Sequence, residues 1–494
     1  MKRIVVIGAG ATGLSAAYAL TQELKGQSDV EVLLLEKQDR VGGQILTVLE
    51  DDFVLECGPD CFISDKPAVL KLAGPLGIED DLRGTRSESG GTYILTNGKL
   101  VRMPEGVMMM IPTKFKPFIG TKLLTWPGKI RAAMDVFIPR RKNLDDDETL
   151  ASFVNRRLGK EILDRLAEPL VGGIHASDPE TMSLASTFPR FLKMEKDDRS
   201  LIMAMLKSKR KMAKMKKNMP PADAVEEFEG QPEAHKAPKK RWTMFVSFKN
   251  GMQTFTDALA AAIGPDVIKL KTDVAAIEKK AMPGGGTSYV LKLKGVGDIE
   301  ADAVILTSLA PQTGKLVESF DNALAGTLQD ITCVSSATVN VVYRAEDVAL
   351  PLDANGVLVP KVEGREIMAM TWVTTKWPDR VPDGYVMIRV FVGGAFRQEL
   401  VSLADDEVMR LVRHELEDIM GITAEPVKAR ISRWVKTMPQ YSMGHLERVA
   451  AIREREEAHA GLFITGASYS GVGIPDCVTA GQETARAALD YVRS

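Results

Sequence analysis

Three glycines and one carboxylate near the start of the chain have the types and spacing that bind a nucleotide. Gly8, Gly10 and Gly13 follow a short apolar run, and Glu36 ends a second one. In a strand–turn–helix unit, the first glycine allows a tight turn, the second lets the backbone approach a pyrophosphate, and the third packs the helix against the strand. The phosphates then meet the free N–H groups and the positive dipole end of the helix. The glutamate can accept hydrogen bonds from ribose hydroxyls, which disfavours a 2′-phosphate.

A strand, a helix and a second strand must position these residues. The apolar spacing predicts a strand at 4–7, a helix over 14–20 and a strand at 32–35, which is the order of a dinucleotide-binding unit. A secretory signal is the alternative interpretation, because Lys2 and Arg3 precede an apolar run. The glycines interrupt that run and no small-x-small cleavage site precedes the second strand, so the dinucleotide unit is favoured.

Length and composition indicate several globular domains. The chain has 494 residues, 45% hydrophobic and 26% charged, with a formal net charge of −2. These values predict two or three domains and give no electrostatic case for binding nucleic acid. The four cysteines show no CxxC or Cys/His spacing, which predicts reduced thiols, no metal site and a cytoplasmic location. No apolar run reaches the roughly eighteen residues of a membrane span.

Further glycines indicate a cofactor longer than NAD. Gly42 and Gly43 follow the second strand, and Gly58 follows a strand-like stretch at 53–56. Paired glycines let the backbone lie against a flat or charged ligand. A flavin dinucleotide extends past its ribitol and needs such an approach, whereas NAD does not.

The C-terminal stretch predicts a second anion site. A strand at 462–465, a glycine-containing loop at 466–473 and a helix at 477–491 form another strand–turn–helix unit. In a flavoprotein, this helix N-terminus would stabilise negative charge that develops on the reduced ring. The cofactor domain is therefore predicted to use both ends of the chain, with other domains inserted between them.

The middle of the chain is predicted to hold helices, a charged insertion and a second sheet. Helical spacing begins at Leu150, and Pro169 and Gly172-Gly173 are predicted to mark the end of this helix. Residues 207–241 are densely charged and predict a solvated loop or partly disordered insertion; nucleic-acid binding is disfavoured there because no aromatic residue lies between Phe191 and Phe228. An antiparallel sheet is predicted from β-rich stretches at 338–343, 357–362, 367–375 and 385–392.

Basic and apolar residues alternate over 103–142, where Trp126 is flanked by lysines. Three interpretations stay open for this stretch: an anionic membrane surface, a greasy pocket for an anionic ligand, or a core with a solvated face.

Four motifs spread over the chain resemble those of one enzyme family. They are Glu56-Cys57-Gly58-Pro59-Asp60, Glu168-Pro169-Leu170-Val171-Gly172-Gly173-Ile174-His175-Ala176, Ser186-Thr187-Phe188-Pro189 and Gly471-Val472-Gly473-Ile474-Pro475-Asp476-Cys477. With the opening GxGxxG, they resemble the protoporphyrinogen oxidases of the flavin amine oxidase superfamily. The resemblance is closest to the form of Gram-positive bacteria, which oxidises coproporphyrinogen III.

This resemblance implies an α/β fold, with a Rossmann-like FAD-binding domain, an inserted mixed α+β substrate domain and an inserted helical domain. The implied FAD-binding domain comprises 1–60, 244–310 and 432–494; the substrate-binding domain 61–66, 220–243 and 311–431; the helical, membrane-facing domain 67–206; and the charged flexible insertion 207–241.

The resemblance also implies the site residues. FAD contacts carried over are Gly8, Ala9, Gly10, Ala11, Thr12, Gly13, Glu36, Lys37, Arg40, Gly43, Gly58, Pro59, Asp60, Cys61, Val274, Trp434, Gly473 and Ile474. Residues implied at the substrate cavity are Lys66, Gly172 and His175, and for His175 packing or hydrogen bonding is favoured over catalysis. No catalytic side chain is predicted. Plant and animal members place an arginine near the position of Tyr93, where this chain has none, so the cation that meets the substrate is left open.

FAD is expected to bind non-covalently. Amine oxidases that bind flavin covalently use a cysteine in a Ser-Gly-Gly-Cys-Tyr segment, where this chain reads Tyr469-Ser470-Gly471-Val472-Gly473.

The activity implied is oxidation of a porphyrinogen in haem biosynthesis, with six electrons passing in three flavin cycles to O₂ to give H₂O₂. The substrate is coproporphyrinogen III, protoporphyrinogen IX or both. Ferrochelatase is implied as a transfer partner and the cytoplasmic membrane face as a contact; monomer and homodimer stay open. The alternatives are an amine oxidase or carotenoid desaturase and, more distantly, a non-catalytic FAD-binding redox sensor.

Overall fold

The computed structural model of the protein describes residues 1–86, 90–108, 111–112, 115–143, 146–217, 242–281, 286–295 and 297–494. The predicted charged insertion therefore lies outside the described residues from position 218 to 241. Within the described ranges, no helix combines the length and the apolar character needed to cross a membrane.

Helices and strands are mixed along the chain, except that the described elements between β10 and β11 are all helical. The strands are β1 Lys2–Ile7, β2 Val30–Leu35, β3 Thr47–Glu50, β4 Phe53–Glu56, β5 Phe62–Ile63, β6 Leu82–Gly84, β7 Tyr93–Thr96, β8 Lys99–Arg102, β9 Val107–Met108, β10 Ile111–Pro112, β11 Phe245–Phe248, β12 Ile268–Lys269, β13 Val274–Ala281, β14 Thr287–Leu293, β15 Ile299–Ala301, β16 Ala303–Leu306, β17 Cys333–Arg344, β18 Gly356–Leu358, β19 Ile367–Trp372, β20 Tyr385–Gly393, β21 Lys428–Pro439 and β22 Leu462–Ile464. The helices are α1 Ala11–Glu23, α2 Ala68–Ala73, α3 Phe115–Gly120, α4 Trp126–Ala133, α5 Leu150–Arg157, α6 Lys160–Ile162, α7 Glu168–His175, α8 Leu184–Thr187, α9 Pro189–Asp198, α10 Leu201–Lys217, α11 Gln253–Ile263, α12 Ala310–Val317, α13 Asn322–Gln329, α14 Val373–Lys376, α15 Asp405–Met420, α16 His445–Glu457 and α17 Ile474–Arg493.

A five-stranded parallel sheet joins the two ends of the chain. Its order is β12-β2-β1-β16-β22, so the first strand pairs with β2 on one side and β16 on the other. Ile4 and Val6 pack on one face with α1, α11 and α17, while Val5 and Ile7 pack on the other with α12 and α13. Both faces of β1 are thus covered, one by helices and the other by helices together with the three-stranded sheet β13-β14-β15, as expected for a buried parallel sheet. The predicted strand–helix–strand unit and the C-terminal return to the same domain are confirmed.

A seven-stranded sheet forms the second large layer. Its order is β21-β17-β20-β19-β18-β7-β8, and α15 packs its apolar face against it. The four stretches predicted as an antiparallel sheet do pair antiparallel with one another. Strand β7, which was not predicted to belong to this sheet, runs parallel to β18. The strand predicted at 357–362 ends at Leu358, because Pro360 cannot donate to the ladder and a 3₁₀ turn follows it.

Strand pairing differs from the domain limits expected at 67–206 and 432–494. Strands β7 and β8 lie within 67–206, yet they extend the seven-stranded sheet, and β21 carries that sheet past position 432. Helix α2 packs with the core of the five-stranded sheet rather than with the helices that follow. Sequence adjacency misled the boundaries here, because sheet partners come from distant parts of the chain.

The helical region corrects two predictions. The single helix predicted from Leu150 to the Pro169 and Gly172-Gly173 segment is divided: α5 ends at Arg157, and Gly159, with φ +95°, separates it from α6. A π-helical turn over Leu163–Ala167 then leads into α7, where Pro169 occupies the first turn and needs no N–H partner. The last helical residue is His175, close to the predicted glycine pair. Residues 207–217, predicted as a loop, continue α10. Lysine, arginine, methionine and alanine are good helix formers, and cations are favourable near a helix C-terminus.

Candidate functional site

The glycine loop between β1 and α1 has the geometry that phosphate binding requires. Gly8 has φ +103°, and a Cβ on Gly13 would lie 1.8 Å from the carbonyl oxygen of Gly8, so only glycine allows this approach of helix to strand. A Cβ on Gly10 would meet nothing within 4 Å. Gly10 caps α1 without a side-chain hydrogen bond. The first turn of α1 therefore faces open space, which fits a pyrophosphate.

Glu36 is buried and holds the glycine loop. Its Oε2 accepts a hydrogen bond from the Ala9 N–H at 2.8 Å and its Oε1 accepts one from the Gln38 N–H at 2.8 Å. Each carboxylate oxygen keeps a further lone pair, so ribose hydroxyls can still be accepted. Lys37 is exposed beside it.

Arg40 shapes the loop that faces Gly10. Its guanidinium donates to the carbonyl oxygens of Val41 at 3.0 Å, Ile45 at 3.1 Å and Gly43 at 2.6 Å. A Cβ on Gly43 would lie 3.1 Å from the Cα of Gly10. The predicted contact residues Arg40 and Gly43 thus bring two backbone segments together at the phosphate position.

Asp60 lies in a cluster that the sequence analysis did not identify. Its Oδ2 accepts hydrogen bonds from Lys376 Nζ at 2.7 Å and Trp377 Nε1 at 2.9 Å, and Arg389 Nη1 lies 3.7 Å from Oδ1. Burial raises the pKa of Asp60, but these cations and hydrogen bonds outweigh it and hold the pKa far below its usual range. Burial also raises the pKa of the neighbouring Cys61 thiol to about 12, so this cysteine stays protonated.

Arg389 also donates to the carbonyl oxygen of Gly58. A Cβ on Gly58 would lie 1.8 Å from the carbonyl oxygen of Gln44, so the close approach predicted for this glycine is made to the protein's own backbone. Pro59 follows, partly exposed, between Gly58 and Asp60. The feature of the sequence that could have indicated a role for Arg389 is its position as a charged residue inside the apolar run that forms β20.

The remaining predicted cofactor residues lie on three different elements, which are β21 of the seven-stranded sheet, β13 of a separate three-stranded sheet and the start of α17. Trp434 on β21 donates its indole N–H to the carbonyl oxygen of Cys57 at 2.7 Å, beside the Gly58 segment. Val274 begins β13 and is buried. Gly473 caps α17 without a side-chain hydrogen bond, and Ile474 is buried in the first turn. Helices α1 and α17 touch closely, because a Cβ on Gly481 would lie 2.3 Å from the carbonyl oxygen of Thr12.

Ala11 and Thr12 belong to the first turn of α1. Two helices that begin at glycine without a side-chain cap thus lie at the carboxyl ends of β1 and β22. This arrangement and the open space at Gly10 fit the phosphates and the ring of an FAD molecule.

The loop before α17 is connected to the end of α7. Tyr441 donates its hydroxyl to the Ala467 carbonyl oxygen at 2.6 Å and accepts from the Gly471 N–H at 2.8 Å. The preceding Gln440 donates to the carbonyl oxygen of His175 at 3.4 Å. The consecutive residues Gln440 and Tyr441 therefore connect His175, which is predicted on the substrate side, with the loop that is predicted to lie at the flavin ring.

The His175 side chain packs rather than titrates. Its ring meets Phe188 edge-on with centroids 5.8 Å apart, and burial lowers its pKa to about 4. The imidazole is neutral near pH 7, in line with the expected packing role.

Gly172 lines a cavity of about 440 Å³ between α7, the segment after β18 and the end of β20. A Cβ on Gly172 would come no closer than 3.5 Å to its neighbour, Glu168 Oε1. Lys66, predicted at the same cavity, lies elsewhere: it pairs with Asp476 at 2.6 Å and lines a separate pocket of about 360 Å³ beside α17. The structure thus separates Lys66 from Gly172.

Comparisons with known proteins cover the whole chain. The family described as flavin containing amine oxidoreductase matches residues 11–489. The chain is 34% identical to coproporphyrinogen III oxidase of Bacillus subtilis, over 100% of this chain and 99% of that protein. It is 27% identical to mitochondrial protoporphyrinogen oxidase of Nicotiana tabacum, over 100% of this chain and 96% of the other. A crystal structure from Exiguobacterium, named as a protoporphyrinogen oxidase, superposes with TM-score 0.82 at 29% identity, covering 100% and 99% of the two chains.

Substitution of Gly10 tests the phosphate position apart from the fold. Gly10 has φ −76°, which alanine adopts, and its Cβ would enter open space. We expect Gly10→Ala to keep the thermal midpoint of the deflavinated protein while weakening FAD binding about tenfold or more, because the methyl group occupies the ligand position. Fluorescence titration of deflavinated protein with FAD measures this.

Two further glycine variants serve as controls for Gly10→Ala. Gly13→Ala should lower the thermal midpoint itself, since its Cβ overlaps the Gly8 carbonyl oxygen. Gly326→Ala, on an exposed turn of α13 with nothing within 4 Å, should leave FAD affinity unchanged and should not lower the thermal midpoint, because alanine favours a helix more than glycine does. Unchanged FAD affinity in Gly10→Ala would show that the pyrophosphate does not lie at this loop.

Glu168 gives a pH-dependent prediction. Burial raises the pKa of its carboxyl to about 7, although Oε2 accepts the Lys361 N–H at 2.8 Å. The folded protein therefore holds a proton that the unfolded chain releases near pH 4.5, and stability falls as pH rises between these values. Glu168→Gln keeps the acceptor without the charge, so it should be more stable than the parent at pH 8 by about 2 kcal/mol.

Urea unfolding at pH 5 and pH 8 measures this difference, which should shrink to less than half at pH 5. The exposed Glu180→Gln is the control and should show no pH-dependent difference. An equal gain for Glu168→Gln at both pH values would contradict the assignment of a raised pKa.

Proposed function

Because the chain belongs to the family of flavin containing amine oxidoreductases, and within it to the coproporphyrinogen III and protoporphyrinogen oxidases, we propose that it oxidises a porphyrinogen to a porphyrin in haem biosynthesis. The family binds FAD, and the fold is shared with the solved relative. The observation that carries the proposal is similarity to coproporphyrinogen III oxidase along the entire chain. Coproporphyrinogen III is accordingly the first substrate to test, and protoporphyrinogen IX the second.

The proposed reaction is an oxygen-dependent oxidation at CH–CH groups. Bound FAD, held without a covalent link, would supply an acceptor for two electrons at a time and pass them to O₂. Loss of six hydrogens from the porphyrinogen then consumes three O₂ and forms three H₂O₂. Aromatic conjugation of the product provides the driving force.

The chain's own residues would bind and orient rather than act as acid and base. His175 is neutral and packed, and Glu168 is bonded to the Lys361 N–H, so neither is arranged as a proton relay. Gly172, having no side chain, leaves room in the cavity. The glycine loop, Arg40 and the Gly58 segment would fix the cofactor, and the cavity would hold the macrocycle away from water.

The rival amine oxidase has less support. An aromatic cage would need Trp434 or Tyr469. The Trp434 indole donates to the Cys57 carbonyl oxygen, and Tyr469 is buried in the core beneath the five-stranded sheet.

Peripheral contact with an anionic membrane is supported by the surface around α4. The most exposed large apolar side chains there are Ile119, Trp126, Ile130 and Phe137, at 51%, 64%, 62% and 78%. Exposed Lys116, Lys122, Arg140 and Lys142 flank them. Phe118, Leu123 and Leu124 are buried beneath, so this stretch combines a core with an apolar, basic surface that suits a cytoplasmic membrane face. From there the porphyrin would pass to ferrochelatase.

Vesicle sedimentation tests this contact. The protein should bind phosphatidylserine-containing vesicles and release them as salt rises. Changing Trp126 and Phe137 together to Glu should lower the bound fraction about tenfold. Leu49→Glu alters an apolar residue exposed by 63% on β3 and should have no effect. Absence of binding by the parent protein would refute membrane contact.

Anaerobic mixing tests the proposed reaction itself. Coproporphyrinogen III or protoporphyrinogen IX should bleach the visible flavin band, and admission of air should then produce porphyrin fluorescence and H₂O₂. Deflavinated protein is the control and should give neither. Failure of both porphyrinogens to bleach the flavin, with bleaching by an amine, would overturn the proposal in favour of an amine oxidase.

A further inference from the structure

The cavity next to Gly172 has an apolar inside and a cationic edge. Its walls include Pro169, Val359, Pro360, Ile367 and Met368. Three cations also line it: Lys361, Arg365 and Arg397. An apolar space edged by cations suits a greasy ring that carries carboxylate arms.

The charges of two of these cations are not compensated by an ion pair within the described part of the chain. Arg365 is paired, with Asp418 at 2.6 Å and Glu415 at 3.7 Å. For Lys361 and Arg397, no ion pair or hydrogen bond joins the charged group to any part of the chain that the structure describes. The Lys361 ammonium lies 3.9 Å from the ring centroid of Phe396, a contact that positions it without neutralising it.

The cavity's own carboxylates do not cancel this charge. They are Glu168 and Glu366. Glu168 accepts the Lys361 backbone N–H, and its raised pKa, near 7, keeps part of the population uncharged near neutral pH. The charge of Arg365 is already compensated by Asp418 and Glu415. Lys361 and Arg397 together therefore exceed the charge of Glu366 and the partly protonated Glu168, which leaves a small positive charge at the lining and favours an anionic ligand.

The inner end of the cavity is close to the predicted cofactor segment. Gly393 lines the cavity, and its neighbour Gly394 donates to the Ser335 carbonyl oxygen at 2.9 Å. The next residue of that strand, Ser336, is paired with Trp434, whose indole bonds Cys57. A ring at this inner end would face the Cys57–Gly58 segment, and its arms would extend toward the cations.

We propose that Lys361 and Arg397 bind carboxylate arms of the porphyrinogen and thereby favour a tetracarboxylate over a dicarboxylate macrocycle. This rests on the proposed function. Coproporphyrinogen III carries four propionates, whereas protoporphyrinogen IX has vinyl groups in place of two of them. A vinyl group gains nothing from a cation, so charge at this edge discriminates between the two substrates.

Steady-state kinetics with both porphyrinogens tests the assignment. Lys361→Met and Arg397→Gln should each lower kcat/KM for coproporphyrinogen III about five- to tenfold, mainly through KM, because an arm loses its partner in ground and transition state alike. The value for protoporphyrinogen IX should change less than about twofold. Lys361→Arg keeps the charge and should restore most of the preference.

Controls separate this role from folding. Lys361 and Arg397 are both exposed, so FAD content and thermal midpoint should match those of the parent. Arg410→Gln removes a cation exposed by 70% on α15, paired with Asp406 at 3.7 Å, and should leave the substrate ratio unchanged. An unchanged ratio in both cavity variants, with the parent active, would overturn the inference and leave the proposed function standing.

If the parent protein oxidises neither porphyrinogen, the affinity for the product porphyrins still tests the carboxylate site. Coproporphyrin III and protoporphyrin IX need no turnover, and quenching of their fluorescence reports affinity. Weaker binding of coproporphyrin III alone in Lys361→Met and Arg397→Gln would support the carboxylate site although the proposed reaction had failed. Equal affinities in parent and variants would refute the site as well.

Discussion

The buried carboxylate of Asp60 is the constraint on which the arrangement of the two large sheets depends. It follows the predicted cofactor segment Cys57–Pro59, yet Arg389 lies on β20 of the seven-stranded sheet, and Lys376 and Trp377 lie at the end of α14, in the connection between β19 and β20. Burial lowers the pKa of Lys376, but the charge of Asp60 outweighs it and raises that pKa, so the pair stays ionised. Removing one partner of such a pair leaves an uncompensated buried charge, which typically costs about 3–5 kcal/mol. The cofactor segment therefore cannot move independently of the second sheet.

Polar side chains extend this constraint along the segment. Asn340 donates to the Glu56 carbonyl oxygen at 3.0 Å, Thr338 to that of Cys57 at 2.6 Å, and Trp434 to the same oxygen at 2.7 Å. All three donors stand on the adjacent strands β17 and β21. The segment after β4 is thus held by side chains where a backbone ladder would otherwise satisfy its carbonyl groups. The end of β20 borders the cavity and pairs with β17, so the same contacts fix the distance between cofactor segment and cavity.

The features predicted correctly from the sequence are those whose cause is local. Gly8, Gly10 and Gly13 act within one turn, so their spacing suffices to predict a strand, a loop and a helix. Local rules fail between Arg157 and Ala167, where the predicted continuous helix is interrupted after α5 and contains a π-helical turn that the apolar spacing does not reveal. Lys376, Arg389, Lys361 and Arg397 are non-local in the same sense. Lys376 and Arg389 contact residues hundreds of positions away along the chain. Lys361 and Arg397 line a cavity that exists only after the sheet and α7 have packed.

The proposed carboxylate site gives a place for the cation that was left open by the missing arginine near Tyr93. Arg102 is the cation opposite Tyr93 on the β7–β8 hairpin. It pairs with Asp353 at 3.0 Å and lies over the Tyr93 ring, so its charge is already compensated within the protein. Strand β18 pairs with β7 and leads directly into Lys361 and Arg365. The positive charge that β7 lacks is therefore carried by the segment that follows the neighbouring strand β18. Backbone N–H groups at two helix ends offer rigid sites for a phosphate-bearing cofactor that remains bound, whereas long cationic side chains at a cavity edge suit a substrate that must enter and leave.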